Sequence, residues 1–369
     1  MKSKLSALKF IRNNKKQAWV MIAALSLTFM TMYVINFLFL TTQESFKALF
    51  IEQPKRVAYV DLCSDTMGAD GNSIIEKLKL HEGIDDVIYT QCLYANYKGI
   101  IGMMGYDFPL LEAEQIPAFL EHMDAELISG KMPDGPGEIL VDERVLKNQG
   151  MEVNGYFNAS SYGQEFIVVG VIKSDYLTCV GTPQGGTNSG WYMVILCDEE
   201  NSNMTNVLND IGIKPTEYDT IYDTVYWAKM YNELVTDMLD TALLSILIIV
   251  MIFLTIAIIV AYVSFMRSRV NEYCLYTSIG FSRKDIYGMM MREIGIIFGL
   301  SIVIGTAVTI VIMLLMGHLV LDNMGLIYKY FYPEHLLRIL AAFLAIVGFL
   351  QIPVTVIINK IKTVDLIEE

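Results

Sequence analysis

Residue types that carry enzymatic or metal chemistry are scattered through this chain rather than grouped. Its four histidines have no metal-ligand spacing: His81, His122, His318 and His335. No G-x-x-x-x-G-K-[ST] run is present to hold nucleotide phosphates, and no G-x-S-x-G run presents a nucleophilic serine. We therefore expect no catalytic residue, metal or cofactor in this chain, and any ATP and Mg²⁺ would be bound by a separate polypeptide.

The most informative spacing lies in the polar stretch "NEYCLYTSIGFSRKDI" at residues 271–286. Leu275, Tyr276 and Ile279 fall on one face of a short predicted helix, and Glu272 lies one turn before Tyr276. Gly280 can end this helix, because glycine adopts the left-handed conformation without strain.

Ser282 is predicted to cap the next helix, with Asp285 three residues later in capping-box spacing. Two helices would then meet at a corner formed by Gly280 and Ser282. They would present a knob of four residues (Glu272, Leu275, Tyr276 and Ile279), rimmed by Arg283 and Lys284. Such a knob would fit a groove on a partner protein. The alternative is an ordinary helix–turn–helix lying on lipid headgroups, with the arginines serving only orientation.

The elements that must position this stretch are long uncharged runs. Runs of 27, 26, 28 and 21 residues without Asp, Glu, Lys or Arg follow Lys16, Asp240, Glu293 and Arg338. A helix needs roughly 20 residues to cross a bilayer, so we predict four transmembrane helices. The first also has the basic start of a signal peptide, but its apolar run is longer than a signal core, which favours an uncleaved anchor.

Basic residues flank one side of these helices. They precede the first helix, lie between the second and third, and follow the fourth, which places these three regions in the cytoplasm. Residues 41–237 would then lie outside, with 31 acidic and 12 basic residues, a net charge of −19. Binding of nucleic acid to so acidic a segment is excluded.

The outer segment has the patterning of a folded α/β domain. Strands are predicted at 56–62, 85–97, 164–174 and 191–198, a helix at 73–80 with Ile74, Ile75, Leu78 and Leu80 on its face, and a flexible loop at 179–190. A strand and short helix ending at Gly150 are predicted within 138–150. Residues 224–238 are predicted to form a stalk that continues the second membrane helix, giving a near-continuous rod from about 224 to 279, roughly 80 Å long.

The cysteines leave two readings open. Cys63, Cys92, Cys179 and Cys197 would lie outside and Cys274 inside. The outer four either form two disulfide bridges, with three possible pairings, or remain free thiols.

Two stretches resemble the MacB/FtsX-type permeases of ABC transport systems, the type VII ABC transporters. The first, 127–172, is similar to the MacB-like outer core domain at ten positions: Gly130, Pro133, Glu138, Gly150, Val153, Gly155, Phe166, Val168, Val169 and Gly170. Lys131 stands where that domain more usually has arginine. The second, 269–305, is similar to the family's R-x-x-E-(x)₇-G-x-S-R-x-x-I…E signature at Arg269, Glu272, Gly280, Ser282, Arg283, Ile286 and Glu293. Thr277 replaces the arginine usual three residues before the glycine.

The resemblance implies a membrane α+β protein with four transmembrane helices, one N-terminal and three C-terminal, and a large extracytoplasmic α/β domain between the first two. The predicted order is a cytoplasmic N-terminus (1–17), helix one (18–40), the outer domain with stalk (41–237), helix two (238–266), a cytoplasmic coupling segment (267–293), helix three (294–317), a short external loop (318–337), helix four (338–358) and a cytoplasmic tail (359–369). The cell membrane of a bacterium is the expected location.

The implied function is that of a permease subunit that couples ATP hydrolysis by a separate ATPase to movement outside the membrane, exporting or clearing peptides or lipid-linked substrates. The alternative is an FtsX-like mechanotransducer that regulates cell-wall hydrolases without transport.

The implied partners are two ABC ATPase subunits, a second permease copy or paralogue, and an outer peptide substrate. The seven predicted ATPase-coupling residues are Glu272, Leu275, Tyr276, Ile279, Gly280, Ser282 and Arg283. Glycines 299 and 305 in helix three would permit close helix packing.

Overall fold

A computed structural model gives the fold of this chain. It describes residues 11–12, 14–51, 56–67, 71–159, 164–185, 192–198, 203–231, 233 and 240–360. The described residues divide into two units, a helical one and an α/β one.

The helical unit is built on long apolar helices. Its elements are α1 (Lys15–Phe46), α8 (Asp240–Arg267), α9 (Val270–Ser278), α10 (Arg283–Met316) and α11 (Pro333–Lys360), of which the last turns of α1 belong to the other unit. Within the described residues, four helices are long and apolar enough to cross a membrane: Lys15–Leu49, Thr241–Arg267, Arg283–Leu321 and Leu336–Val356. The predicted order of one helix before and three after an α/β domain is confirmed.

Three of the long helices meet around three phenylalanines and one glycine. The ring of Phe343 lies 5.6 Å from that of Phe29 and 5.0 Å from that of Phe298. Gly305 lies so close to α1 that an added Cβ would come within 3.1 Å of the Phe29 ring. Gly299, by contrast, has nothing within 4 Å of that position. The predicted close packing therefore holds at Gly305 and not at Gly299.

Helix α8 buries little of its surface. Only 11% of the residues in its most apolar 18-residue stretch are buried. Eight of its large apolar side chains are exposed: Leu244, Ile246, Ile248, Ile249, Ile252, Phe253, Ile256 and Val260. This helix is apolar all round, which is the composition of a surface that faces lipid or another membrane protein.

The α/β unit contains eleven strands and six short helices among its described residues. The strands are β1 (Val57–Asp61), β2 (Ile84–Thr90), β3 (Cys92–Lys98), β4 (Met103–Pro109), β5 (Glu126–Gly130), β6 (Glu138–Asp142), β7 (Tyr156–Ala159), β8 (Gln164–Lys173), β9 (Cys179–Gly181), β10 (Tyr192–Cys197) and β11 (Thr220–Tyr222). The helices are α2 (Ser64–Met67), α3 (Gly71–Lys79), α4 (Ile116–His122), α5 (Glu143–Gln149), α6 (Met204–Asp210) and α7 (Thr224–Tyr231).

The strands form one four-stranded sheet, one hairpin and one five-stranded sheet. The first has the order β11-β1-β10-β2, the hairpin is β3-β4, and the third is β5-β8-β6-β9 with β7 also on β8. Alternate residues of the first sheet point to opposite faces. Ala58, Val60, Met193 and Ile195 pack under α3 and α6, while the other face, with Val194, packs with α4 and the five-stranded sheet.

Glycines fix two positions of the 127–172 stretch. Gly130 has φ 83° and lies against the backbone of β8, where an added Cβ would collide with the Val169 carbonyl oxygen. Gly150 ends α5 in the left-handed conformation (φ 65°), as its sequence position predicts. Close strand pairing and helix termination thus explain why these positions are glycine.

The loop after α10 belongs to the α/β unit. The Tyr97 hydroxyl donates to the Gly325 carbonyl at 2.7 Å, and the Asn148 amide donates to the Met324 carbonyl at 2.8 Å. The Ser45 hydroxyl donates to the Ile327 carbonyl at 2.7 Å. The predicted loop 318–337 is therefore partly an integral piece of this domain.

Several predicted elements need correction. Residues 85–97 form two strands rather than one, because β2 pairs with β10 whereas β3 pairs with β4. Leu80 lies beyond the end of α3 and is 86% exposed, so it is not part of the buried helix face. Cys179–Gly181 is a buried strand on β6 rather than loop, and residues 186–190 of the predicted loop lie outside the described residues.

The predicted rod is also interrupted. α7 covers the start of the stalk, residues 232 and 234–239 lie outside the described residues, and the helix breaks at Ser268–Arg269 between α8 and α9. The cysteine alternatives resolve in favour of thiols: all five cysteines are free, with three of them buried, Cys179, Cys197 and Cys274.

Candidate functional site

The segment between α8 and α10, residues 267–293, is named the connector here. It begins with the turn at Ser268–Arg269, where Arg269 is only 2% exposed. Its Nη1 donates to Glu293 Oε1 on α10 at 2.7 Å, and its Nε donates to Glu272 Oε2 on α9 at 3.4 Å. Glu293 is itself 1% exposed, so the pair is buried at both ends. One guanidinium therefore holds α9 and α10 at a fixed separation.

Two aromatic rings complete the environment of Arg269. Its Cζ lies 4.7 Å from the centroid of Phe265 on α8 and 5.6 Å from that of Tyr273 on α9. A guanidinium at these distances is attracted by the ring faces. Burial raises the pKa of Tyr273 above its ordinary value, so this ring stays neutral beside the ion pair.

The end of α9 is a glycine-dependent cap. Gly280 has φ 95°, its amide donates to the Thr277 carbonyl, and the Phe281 amide donates to the Tyr276 carbonyl, both at 3.0 Å. This pair of bonds defines a Schellman motif, whose usual apolar contact is also present: the rings of Tyr276 and Phe281 are 6.0 Å apart and nearly perpendicular. The prediction for Gly280 is confirmed.

The start of α10 is a reciprocal capping box. The Ser282 amide donates to Asp285 Oδ2 at 3.0 Å, and the Asp285 amide donates to Ser282 Oγ at 3.3 Å. This satisfies backbone donors that a helix start leaves unpaired and places a carboxylate at the positive end of the helix dipole. The predicted N-cap is confirmed, and the two caps together fix the corner.

The surface of α9 is apolar at two exposed positions. Leu275 is 56% exposed and Ile279 is 63% exposed, one helical turn apart. Tyr276 beside them is half-buried, and Arg283 and Lys284 at the start of α10 are exposed. The predicted apolar pair and the predicted basic rim are therefore both exposed, the first on α9 and the second at the start of α10.

Two polar residues of α9, Glu272 and Thr277, bond within the connector rather than extending toward a partner. Glu272 is drawn to Arg269, so its carboxylate braces the turn as well as lying near Tyr276. Thr277, which stands in place of the arginine of the resembling signature, donates its hydroxyl to the Tyr273 carbonyl of its own helix at 2.8 Å. No basic side chain extends from that position, which leaves shape and apolar surface as the main features of the knob.

The sequence reasoning placed Arg269 and Glu293 in a motif but assigned neither a site role. The signal was present, because each charge lies beside a long apolar run, and a buried carboxylate costs several kcal/mol unless it is paired. The sequence does not predict that Arg269 pairs with Glu293, since the two residues are 24 positions apart and Glu293 lies on another helix.

Comparison with known proteins gives one family and two solved structures. Residues 244–366 match the family model described as FtsX-like permease C-terminal. The periplasmic region of MacB from Actinobacillus actinomycetemcomitans is 15% identical, with a TM-score of 0.28, over 51% of this chain and 95% of that one. The extracellular domain of the noncanonical ABC-type transporter YknZ from Gram-positive bacteria is 11% identical, with a TM-score of 0.28, over 45% of this chain and all of that one.

A search of curated protein sequences found no match. The structural similarities are too low to add weight, so the assignment depends on the family model and on the order of elements. The match covers α8 onward, including the whole connector with its two caps and its buried ion pair. Residues 244–366 are therefore similar to the FtsX-like permease C-terminal family, and the four apolar helices lie one before and three after an α/β domain, in the predicted order.

Proposed function

We propose that the connector is the surface through which a separate ABC ATPase moves this permease, and that the movement exports or clears a peptide or lipid-linked substrate on the other side of the membrane. The observation that carries this is the combination of an exposed apolar pair, Leu275 and Ile279, with a backbone fixed by the Gly280 and Ser282 caps. A partner pushing on this surface meets a rigid corner, because the Arg269–Glu293 pair ties its two helices together.

The orientation follows from charge. Four exposed basic residues lie on or beside the connector: Arg267, Arg283, Lys284 and Arg292. Arg269 does not count toward surface charge, since it is buried and paired. This excess supports an orientation in which the connector and both termini lie in the cytoplasm and the acidic α/β domain lies outside a bacterial cell membrane. The α/β domain is then the part that contacts the substrate.

A second permease subunit, identical or paralogous, is part of the proposal. The exposed apolar side of α8 supports it, because van der Waals packing contributes to the association of membrane helices, and the described residues of this chain leave most of that side uncovered. Two permease subunits would receive two ATPase subunits.

The ATPase surface is tested by a pair of matched substitutions. Leu275→Asp should abolish co-purification of the cognate ABC ATPase from detergent-solubilised membranes, because the carboxylate would be desolvated in the interface. Leu80→Asp makes the same change at an exposed leucine of the α/β domain and should leave co-purification unchanged. Equal recovery of the ATPase with both variants would contradict the proposal. A photo-crosslinker placed at Ile279 should label a protein that contains a Walker A motif.

The rigidity of the corner is tested at glycine. Gly280→Val places a β-branched residue at φ 95° and should uncouple ATP hydrolysis from transport, while Gly299→Val, with open space around it, should not. Gly280→Asn should retain part of the coupling, because asparagine tolerates the left-handed conformation. The alternative, regulation of cell-wall hydrolases without transport, predicts cell-separation defects in a Gly280→Val strain with no change in sensitivity to toxic peptides.

A further inference from the structure

A cleft on the α/β unit is walled by a continuous group of aromatic rings. The ring centroids of Tyr192 and Tyr222 are 6.3 Å apart, and that of Tyr222 lies 4.8 Å from Tyr226 and 5.9 Å from Trp227. Tyr59 also lines the cleft, which has a volume of about 70 Å³. We name four of the lining residues, Tyr59, Tyr192, Tyr222 and Trp227, the aromatic cleft, and Tyr226 packs against the ring of Tyr222.

The fold holds these rings in place. Tyr59 is paired with Tyr222 across β1 and β11, and Tyr192 lies on β10 at the other side of β1. The buried carboxylate of Asp223 accepts from the Tyr226 amide at 2.9 Å, and its other oxygen accepts from the Met204 amide at 2.9 Å. Asp223 thereby caps α7 and fixes the helix turn that carries Tyr226 and Trp227.

The charge at the cleft is negative and uncompensated. Asp107 on β4 lines it, and its carboxylate acts electrostatically on Tyr59, Tyr192, Tyr222 and Tyr226, as Asp61 acts on two of these. Among the described residues, Asp107 forms no ion pair, and no lysine or arginine acts on these tyrosines. The side chain of Asp107 is accessible to solvent, although the protein around it displaces part of its hydration and raises its pKa above the ordinary value.

We propose that the aromatic cleft binds an alkylammonium group, with Asp107 as the counter-charge and the rings of Tyr222 and Trp227 as its cation–π partners. Aromatic faces beside a carboxylate attract organic cations and offer an anion nothing. Ca²⁺ is disfavoured, because it takes 6–8 oxygen ligands and the cleft offers few. The volume suits an ammonium head rather than a whole ligand.

The source of the ammonium group rests on the proposed function. If the α/β domain contacts a peptide substrate, a lysine side chain inserts its head here while the rest of the peptide lies on the surface. The domain's net charge of −19 over residues 41–237 would draw such a cationic peptide toward it. A choline headgroup shares the chemistry, so primary and quaternary ammonium probes are compared directly.

The test is saturation-transfer NMR on the full-length protein in maltoside detergent. The probes are Nα-acetyl-lysine methylamide and choline, each with a neutral counterpart of similar shape, Nα-acetyl-norleucine methylamide and 3,3-dimethyl-1-butanol. We expect saturable binding of the cations and none of the neutral molecules. Tighter binding of the lysine derivative supports a peptide source, whereas tighter binding of choline overturns it. Equal binding of charged and neutral members of a pair overturns the site itself.

Three variants locate the binding. Asp107→Asn should weaken it roughly tenfold, since it removes the counter-charge without changing the fold of an exposed hairpin position. Tyr222→Leu should weaken it similarly, and an unchanged melting temperature shows that the domain is intact. Glu114→Gln removes an exposed charge elsewhere and should leave affinity unchanged. Wild-type affinity in Asp107→Asn would refute the site. The assay contains no ATPase, so failure of the coupling proposal leaves this result unaffected.

Discussion

Two arginines, one in each unit, pair with a buried carboxylate in different ways. In the α/β unit, Arg144 makes two bonds to Asp142, at 2.8 and 2.6 Å, and donates to the carbonyls of Ser174 and Tyr176. In the connector, Arg269 bonds to Glu293 from another helix and lies between the rings of Phe265 and Tyr273.

The difference lies in what each arginine organises. Arg144 and Asp142 are two residues apart, and the remaining donors end on the backbone of the loop after β8. Arg144 therefore orders a loop within one domain. The Arg269 pair spans 24 positions and joins helices, so its geometry sets the angle at which α9 meets α10. A local pair stabilises a loop, whereas a long-range pair in an apolar setting determines how two rigid elements move together.

The largest effect is expected from breaking the long-range pair. Arg269→Met leaves Glu293 buried without its partner and should cost about 3–5 kcal/mol of local stability. Pulse thiol labelling of buried Cys274 on α9, followed by peptide mass spectrometry, reports the opening of the connector. The double variant Arg269→Met/Glu293→Met should recover most of the loss, because it removes both charges. A double variant as labile as the single one would show that the ion pair is not the source of the stability.

A smaller effect is expected from the local pair. Arg144→Met should cost about 2–3 kcal/mol, because Asp142 keeps its bond from the residue 144 amide, at 2.8 Å in the native chain. Cys179 lies on β9 beside this site, and burial raises its pKa to about 12, so it reacts only when the domain opens. In Arg144→Met we expect Cys179 to be labelled faster than in the wild type, while the labelling rate of Cys274 stays unchanged. Equal acceleration at both thiols would mean that the two arginines do not act on separate units.

The smallest effect concerns a carboxylate with no arginine at all. Asp219 accepts from the amides of Cys63 and Thr216, at 2.8 and 2.6 Å, and from the hydroxyls of Thr66 and Thr216. Burial opposes its ionisation, but these bonds outweigh it and lower the pKa of Asp219 to about 2. Asp219→Asn should cost about 1–2 kcal/mol at neutral pH.

The pH dependence of that loss has a definite sign. Because the folded pKa lies below the ordinary value of about 4, Asp219 stabilises the domain fully above about pH 4 and loses this contribution as the pH falls toward 2. Urea unfolding of wild type and Asp219→Asn should therefore converge in stability between roughly pH 4 and pH 2. A constant gap across this range would exclude the assigned pKa.

The sequence predicts local features of the connector and misses the long-range ones. Gly280 and Ser282 act through bonds to residues within four positions, so their caps are readable from spacing alone. The Arg269–Glu293 contact depends on how two helices pack, which no single segment encodes. The same reasoning explains the strand at 85–97, where the alternating pattern continues through Gln91 and only pairing with different sheets divides it.

The left-handed Gly280 also has a consequence for selection experiments that score every amino acid at each position. The substitutions tolerated at Gly280 should follow the preference of each residue for the left-handed conformation. Asparagine and aspartate should be tolerated better than alanine, and β-branched residues should be tolerated least, whatever their size. At Leu275 the order should follow apolar volume, with methionine and isoleucine kept and glycine lost. Two neighbouring positions of one short segment would thus record, in their substitution profiles, the difference between a constraint on chain shape and a constraint on contact.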